Sequence, residues 1–243
     1  MNIDVITLFP EIVQGFFTNS IMKRAVDSGK ISYNLIDFRN FATDKHHKCD
    51  DSPYGGGAGM VLKPKPLCDA LESVGAKEKR VIFASPSGKK LTQSLSEELS
   101  KEDNLVFICG HYEGIDQRVI DLYVDDEISI GDYVISSGEV SSLVIIDSVY
   151  RLVDGVISSE SLEEESFSDG LLEYPQYTRP EIYEDMRVPS VLLNGNHKDI
   201  KDWRLEKRLR KTLSNRPDLL EEKSLDLKSQ KTLQKIRNTA KRT

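Results

Sequence analysis

Apolar and polar positions change period repeatedly over the first 150 residues. Asn2 to Phe9 reads as a strand ending at Pro10, and Ile31 to Phe38 alternates as a second strand. Between them Ile12, Val13, Phe16, Phe17, Ile21 and Ala25 recur at helical spacing, and Gly29 closes that helix. Arg80–Ala84 and Leu105–Cys109 are short apolar runs expected as buried strands, with Glu127–Ile130 as another. Pro66–Val74, Leu91–Leu99, Ile115–Leu122 and Val140–Leu152 read as helices, and Arg39–Met60 as a long, Gly-rich polar loop. Strand and helix in alternation predict an α/β domain with a largely parallel sheet.

After Val153 the pattern breaks. Ser158, Ser159 and Ser161 lie at the start of an acidic stretch with Glu160, Glu163, Glu164, Glu165, Asp169 and Glu173, read as a linker or mobile lid. Beyond Pro175 the pattern is helical. Leu205, Leu209 and Leu213 step by four, with Lys201, Arg204, Arg208 and Lys211 expected on the opposite side. Leu225–Lys241 is expected as a last helix with a basic outer face. The expected division is a first domain over 1–155, a flexible linker over 156–173 and a small all-helical domain over 174–243.

Composition narrows the classes. A chain of 243 residues with 38% hydrophobic and 30% charged positions has room for one large domain or a large and a small one. No apolar run is long enough to span a bilayer, so no membrane partner is expected. Met1-Asn2-Ile3-Asp4 offers no basic secretory n-region, and Cys49, Cys68 and Cys109 lack metal spacing, so a reducing, cytoplasmic setting is expected. The net charge of −7 conceals an asymmetry: from Lys198 onward there are 15 Lys and Arg against 7 Asp and Glu. Such a local field suits a polyanion, and ordinary solvated helix faces give the same pattern.

Three glycine-bearing loops follow expected strands: Ala84–Gly88, Cys109–Gly114 and Ile130–Glu139. In an open parallel sheet, ligands sit beyond the carboxyl ends of strands. Glycines there let backbone approach a ligand, although each loop is also compatible with a plain turn between strand and helix. The phosphate-binding patterns G-x-x-x-x-G-K-[ST] and G-x-G-x-x-G are both absent, which disfavours a phosphate-anchored nucleotide and leaves an adenosine-type ligand. His46, His47, Cys49, Asp50 and Asp51 crowd one loop without a second ligand pair, so a polar loop is expected there and no metal site. No G-x-S-x-G supports a serine hydrolase. Arg151 ends an apolar helix and could cap it or meet an anionic group of a substrate.

Six motifs then occur in order: Leu8-Phe9-Pro10, Asp50 to Met60, Cys109 to Asp116, Ser129 to Val134, Ile146 to Val149, and Tyr177 to Pro180. Together they resemble the bacterial tRNA (guanine-N1)-methyltransferase family, TrmD, over essentially the whole chain. The resemblance implies a trefoil-knotted α/β domain of the SPOUT class with a parallel sheet, a small all-helical C-terminal domain, and a homodimer. It also implies methyl transfer from S-adenosylmethionine to N1 of the guanosine at position 37 of tRNA, which preserves the reading frame.

Carried onto this chain, the cofactor site falls on Ser85, Pro86 and Gly88, on Gly110, Tyr112 and Glu113, and on Ile130, Gly131, Asp132, Tyr133, Val134, Ile135 and Gly138. Arg151 matches the arginine beside the guanine, and Glu165-Ser166-Phe167 matches a triplet whose first residue, usually aspartate, is the general base. Asp169 is the alternative base, off the motif. Lys201, Arg204, Arg208 and Lys211 are expected to contact tRNA phosphates. Ser137 stands where the family has glycine, His111 where it has arginine, and Asn194 where it has serine. Magnesium, where used, is expected on substrate and carboxylate oxygens with retained waters. The competing readings are an RNA-binding protein without catalysis and a methyltransferase of the same fold acting at another RNA position.

Overall fold

In the computed structural model, residues 1–163, 165–221 and 225–240 are described. Five parallel strands carry the first compact unit, Met1–Ile157: β1 (Asn2–Thr7), β2 (Ser32–Asp37), β3 (Arg80–Lys90), β4 (Asn104–Ile108) and β5 (Asp126–Ser129). Their order across the sheet is β2-β1-β4-β3-β5. The helices around them are α1 (Pro10–Phe17), α2 (Ser20–Asp27), α3 (Pro64–Ser73), α4 (Gln93–Leu99), α5 (Gln117–Tyr123) and α6 (Gly138–Tyr150).

The period of two along each strand sorts side chains onto two faces. Ile3 and Val5 of β1, Leu105 and Phe107 of β4, and Ile82 and Ala84 of β3 share one cluster with Val13, Phe17, Leu95, Leu99, Ile145 and Val149. Ile6, Val106, Ile108, Val81 and Phe83 share the other with Leu67, Leu71 and Val119. The sheet is therefore covered on both faces, by α1, α2, α4 and α6 on one side and α3 and α5 on the other. That is why its central strands read as unbroken apolar runs. Burying each of the valine, leucine, isoleucine and phenylalanine side chains among them contributes roughly 1.5–3 kcal/mol.

Three local features depart from the sequence pattern. The helix expected from Ile12 to Ala25 breaks at Thr18 and Asn19, where Asn19 is extended and its amide donates to the Gly15 carbonyl at 2.8 Å. β3 runs on to Lys90 because both Ala84 and Lys89 pair with Ile128, which leaves Ser85–Gly88 as a bulge in the strand. Asp126, at the start of β5, is held by Arg80 Nε at 2.6 Å and Lys89 Nζ at 2.5 Å, so charge fastens β5 to β3 on either side of the bulge.

The second compact unit is Ser158–Thr243. It holds α7 (His197–Asn215), α8 (Leu227–Ala240), short helices at Ser159–Glu163 and Asp218–Glu221, and a two-stranded ribbon pairing Ile182–Tyr183 with Met186–Arg187. The ribbon is an addition to the all-helical expectation. Leu171, Leu209, Leu220, Leu233 and Ile236 form the core. Asn196 caps α7, accepting from Lys198 N at 3.1 Å. The stretch read from sequence as a linker belongs partly to this unit: Leu171 is buried, Phe167 N donates to Leu171 O at 2.9 Å, and Leu172 N donates to Thr212 Oγ1 at 3.0 Å.

Candidate active site

Strands β4, β3 and β5 are neighbours, so the loops at their carboxyl ends meet. They enclose a cavity of about 510 Å³. The first wall is the β3 bulge, with Ser85, Pro86 and Ser87. The second is the turn after β4, where Tyr112 (φ +58°) and Gly114 (φ +127°) reverse the chain. Glu113 N donates to Met60 O at 3.1 Å and Leu62 N donates to Gly114 O at 3.0 Å, which pins this turn to the end of the Gly-rich loop. The third wall is the segment from Ile130 to Gly138, with Gly131 at φ +150°.

Gly138 N donates to Gly110 O at 3.0 Å and closes the second wall onto the third. A Cβ at Gly138 would lie 2.6 Å from the Gly110 carbonyl oxygen and 2.9 Å from the Cys109 carbonyl carbon, so only glycine permits this approach. A Cβ at Gly110 would fall 2.9 Å from the Phe83 ring. The walls are thus largely main chain, with apolar patches from Ile130, Val134 and Ile135.

Charge in the cavity has one sign. No lysine or arginine lines it among the described residues, whereas Glu113 and Glu127 do. Such a lining offers no side-chain cation to anchor a phosphate.

Of the residues expected at the cofactor site, Ser85, Pro86, Gly110, Tyr112, Glu113, Ile130, Gly131, Tyr133, Val134, Ile135 and Gly138 all line the cavity. Gly88 and Asp132 do not. Gly88 packs on the backbone of Glu127 and Ile128, where its lack of a side chain lets the bulged strand rejoin β5. Asp132 points to solvent and pairs with Lys90 at 2.9 Å. Ser87, His111, Ser137 and Ser141 line the cavity without having been singled out for it.

The sequence profile of the family described as tRNA (Guanine-1)-methyltransferase TrmD matches residues 1–222. The chain belongs to the TrmD family. It is similar to a tRNA (guanine-N(1)-)-methyltransferase of Treponema denticola, 64% identical over 221 residues and 91% of each chain. The protein of that name in Borrelia duttonii is 64% identical, covering 90% of this chain and 92% of its own. That of Treponema pallidum is 57% identical over 220 residues, covering 90% and 88%.

The remaining residues that the TrmD resemblance singles out lie in both units. Arg151 caps the end of α6 in the first. One turn earlier stands Asp147, whose carboxyl is pushed up by burial against the opposing pull of the Arg151 charge. Glu165 lies in the second unit within a tight turn, where Ser168 Oγ donates to the Glu165 carbonyl at 2.9 Å. Glu173 N donates to Ser166 Oγ at 3.0 Å and draws the two ends of the segment together.

Asp169 and Arg208 are paired with each other. Arg208 Nη1 donates to Asp169 at 3.0 Å, Nη2 donates to the second carboxylate oxygen, and Nε donates to Leu172 O at 3.3 Å. Arg204 lies 4.5 Å over the Tyr174 ring. On α7 the two arginines therefore pack residues 169–174 against the helix, and Lys201 and Lys211 are exposed.

Proposed function

We propose that this chain transfers a methyl group from S-adenosylmethionine to N1 of the guanosine at position 37 of tRNA, as a cytoplasmic homodimer. The observation that carries the reading is the convergence of three strand-end loops on one main-chain-walled cavity in a chain of the TrmD family. The cavity's donor set suits the cofactor: neutral backbone edges for the adenine, apolar side chains for the ribose face, and carboxylates near a sulfonium cation. Ser85, Pro86, Gly110, Tyr112, Ile130, Gly131, Tyr133, Val134 and Ile135 would hold it, and when bound it supplies the electrophilic methyl group. The trefoil knot expected of the SPOUT class is part of this reading. Half-exposed apolar residues on α1 and α6, namely Ile12, Val140 and Val144, support a subunit interface.

Guanine N1 carries a proton and is a poor nucleophile until it is removed. Glu165 accepts that proton, and the Arg151 guanidinium stabilises negative charge growing on O6. Arg151 ends α6 and is not among the residues that line the cofactor cavity. Lys201 and Lys211, exposed on α7, offer contacts to tRNA phosphates. Magnesium, where it assists, would be held by substrate and carboxylate oxygens with retained waters. No helix among the described residues is long and apolar enough to cross a membrane.

The test is transfer of labelled methyl to unmodified tRNA carrying guanosine or adenosine at position 37. Label that requires the guanosine and maps to N1 is the expected result. Cofactor and tRNA binding without transfer would overturn the catalytic reading and favour an RNA-binding protein.

A further inference from the structure

A carboxylate with no exposure sits behind the cofactor cavity. Glu139, the second residue of α6, is fully buried. Its Oε1 accepts from Thr7 Oγ1 at 2.5 Å. Its Oε2 accepts from Ser137 Oγ at 2.7 Å and from His111 Nε2 at 2.7 Å. A buried carboxylate is costly unless its lone pairs are satisfied, and here three donors satisfy them. Those donors come from three places: the end of β1, the second cavity wall and the third.

Ser137 shows that the arrangement is specific. It occupies the N-cap of α6, where a serine ordinarily accepts from a helix N–H, yet it makes no such bond and spends its hydroxyl on Glu139. Thr7 in turn accepts from Phe9 N at 2.9 Å, and the Phe9 ring meets His111 edge-on at 5.0 Å. His111 and Ser137 both line the cavity.

We infer that Glu139 is a positioning residue for the cofactor site, a clasp that sets the separation of the second and third walls by holding His111 and Ser137 on one carboxylate. The inference rests on reading the cavity as the S-adenosylmethionine site. Glu139 touches no reacting atom in this account. It acts through the loops that carry Gly110, Tyr112, Ile135 and Gly138.

The test measures S-adenosylmethionine binding by calorimetry and steady-state kinetics for the full-length wild type, E139Q, H111N, S137A and the H111N/S137A double variant. Wild type that fails to bind the cofactor overturns the reading of the cavity, which is distinct from failure of the clasp. With wild-type binding established, H111N and S137A should each weaken binding several-fold. Loss of a charge-assisted hydrogen bond network predicts about tenfold or more for E139Q. The KM for S-adenosylmethionine should rise in step, while the KM for tRNA and kcat at saturating cofactor stay within about twofold, since uniform binding alone is lost. Because both partners act on one carboxylate, the double variant should resemble E139Q and fall short of the product of the single effects. Should E139Q fold poorly, the two single variants and their double carry the test alone. Unchanged cofactor affinity in H111N and S137A, or a loss shared equally by kcat and both KM values, would overturn the inference.

Discussion

At the residue scale the chemistry depends on a few side chains and on places where a side chain is forbidden. Glu165→Gln keeps the size of the proposed base and removes its basicity. The expected outcome is a fall in kcat of about 10²–10⁴-fold with cofactor affinity retained, read by single-turnover methyl transfer and calorimetry. Arg151→Ala should lower kcat by about 10²–10³-fold, the scale seen when one donor to a developing oxyanion is removed. Gly138→Ala forces a methyl into the Gly110 backbone, and S-adenosylmethionine binding should be lost along with thermal stability. The cavity wall was largely legible in the sequence, because glycine-bearing loops after apolar strands sit at one end of a parallel sheet. Gly88 and Asp132 were not separable from true wall residues, since membership of a loop does not say which way the loop turns. Glu139 was illegible for another reason. Its partner Thr7 is 132 positions away and reaches it only in the folded sheet.

Elements show what fixes the loops. The bulge in β3 exists because Ala84 and Lys89 share Ile128, and the Arg80–Asp126–Lys89 cluster holds both arms of the bulge to β5. Burial pushes the Asp126 carboxyl up, but hydrogen bonds from Arg80 and Lys89 outweigh it and the net shift is downward. A depressed carboxyl stabilises the fold above its unfolded value of about 3.9 and loses that contribution as pH falls through the folded value. Wild type should therefore exceed Asp126→Asn in Tm at neutral pH, with the gap closing as pH is lowered below about 4. Scanning calorimetry across that range checks it. In the second unit, Arg208 fastens the segment of Asp169 to α7. Arg208→Gln should speed amide exchange over residues 166–173 and cost about 1 kcal/mol of stability, as expected for a partly exposed pair. The sequence placed these residues in a linker because Ser and Glu dominate it. Leu171 alone, buried under α7, reverses that balance.

For the whole molecule, the alternation of strand and helix was visible from the start, and the two-sided cover of the sheet follows from its apolar strands. The strand order was not visible. Nothing in the local pattern says that β4 lies between β1 and β3, because that order rests on pairing between strands far apart in the chain. Yet that order brings three loops, separated by tens of residues, to one cavity. The charge asymmetry also acts at this scale. Charge reversal of Lys201 and Lys211 together should raise the KM for tRNA and flatten its dependence on salt, measured by filter binding over a range of ionic strength.

The contact of Gly138 with Gly110 carries a consequence for pharmacology. A competitor that reads main-chain amides and carbonyls meets atoms common to every amino acid, so substitution at the wall leaves its partners in place. At Gly138 and Gly110, where substitution could reshape the wall, a side chain collides with backbone or with Phe83 and disables the enzyme as well. Drug resistance would then have to arise at the rim, at exposed positions such as Tyr133 and Val134, and an inhibitor that leaves those side chains untouched gives selection little to act on.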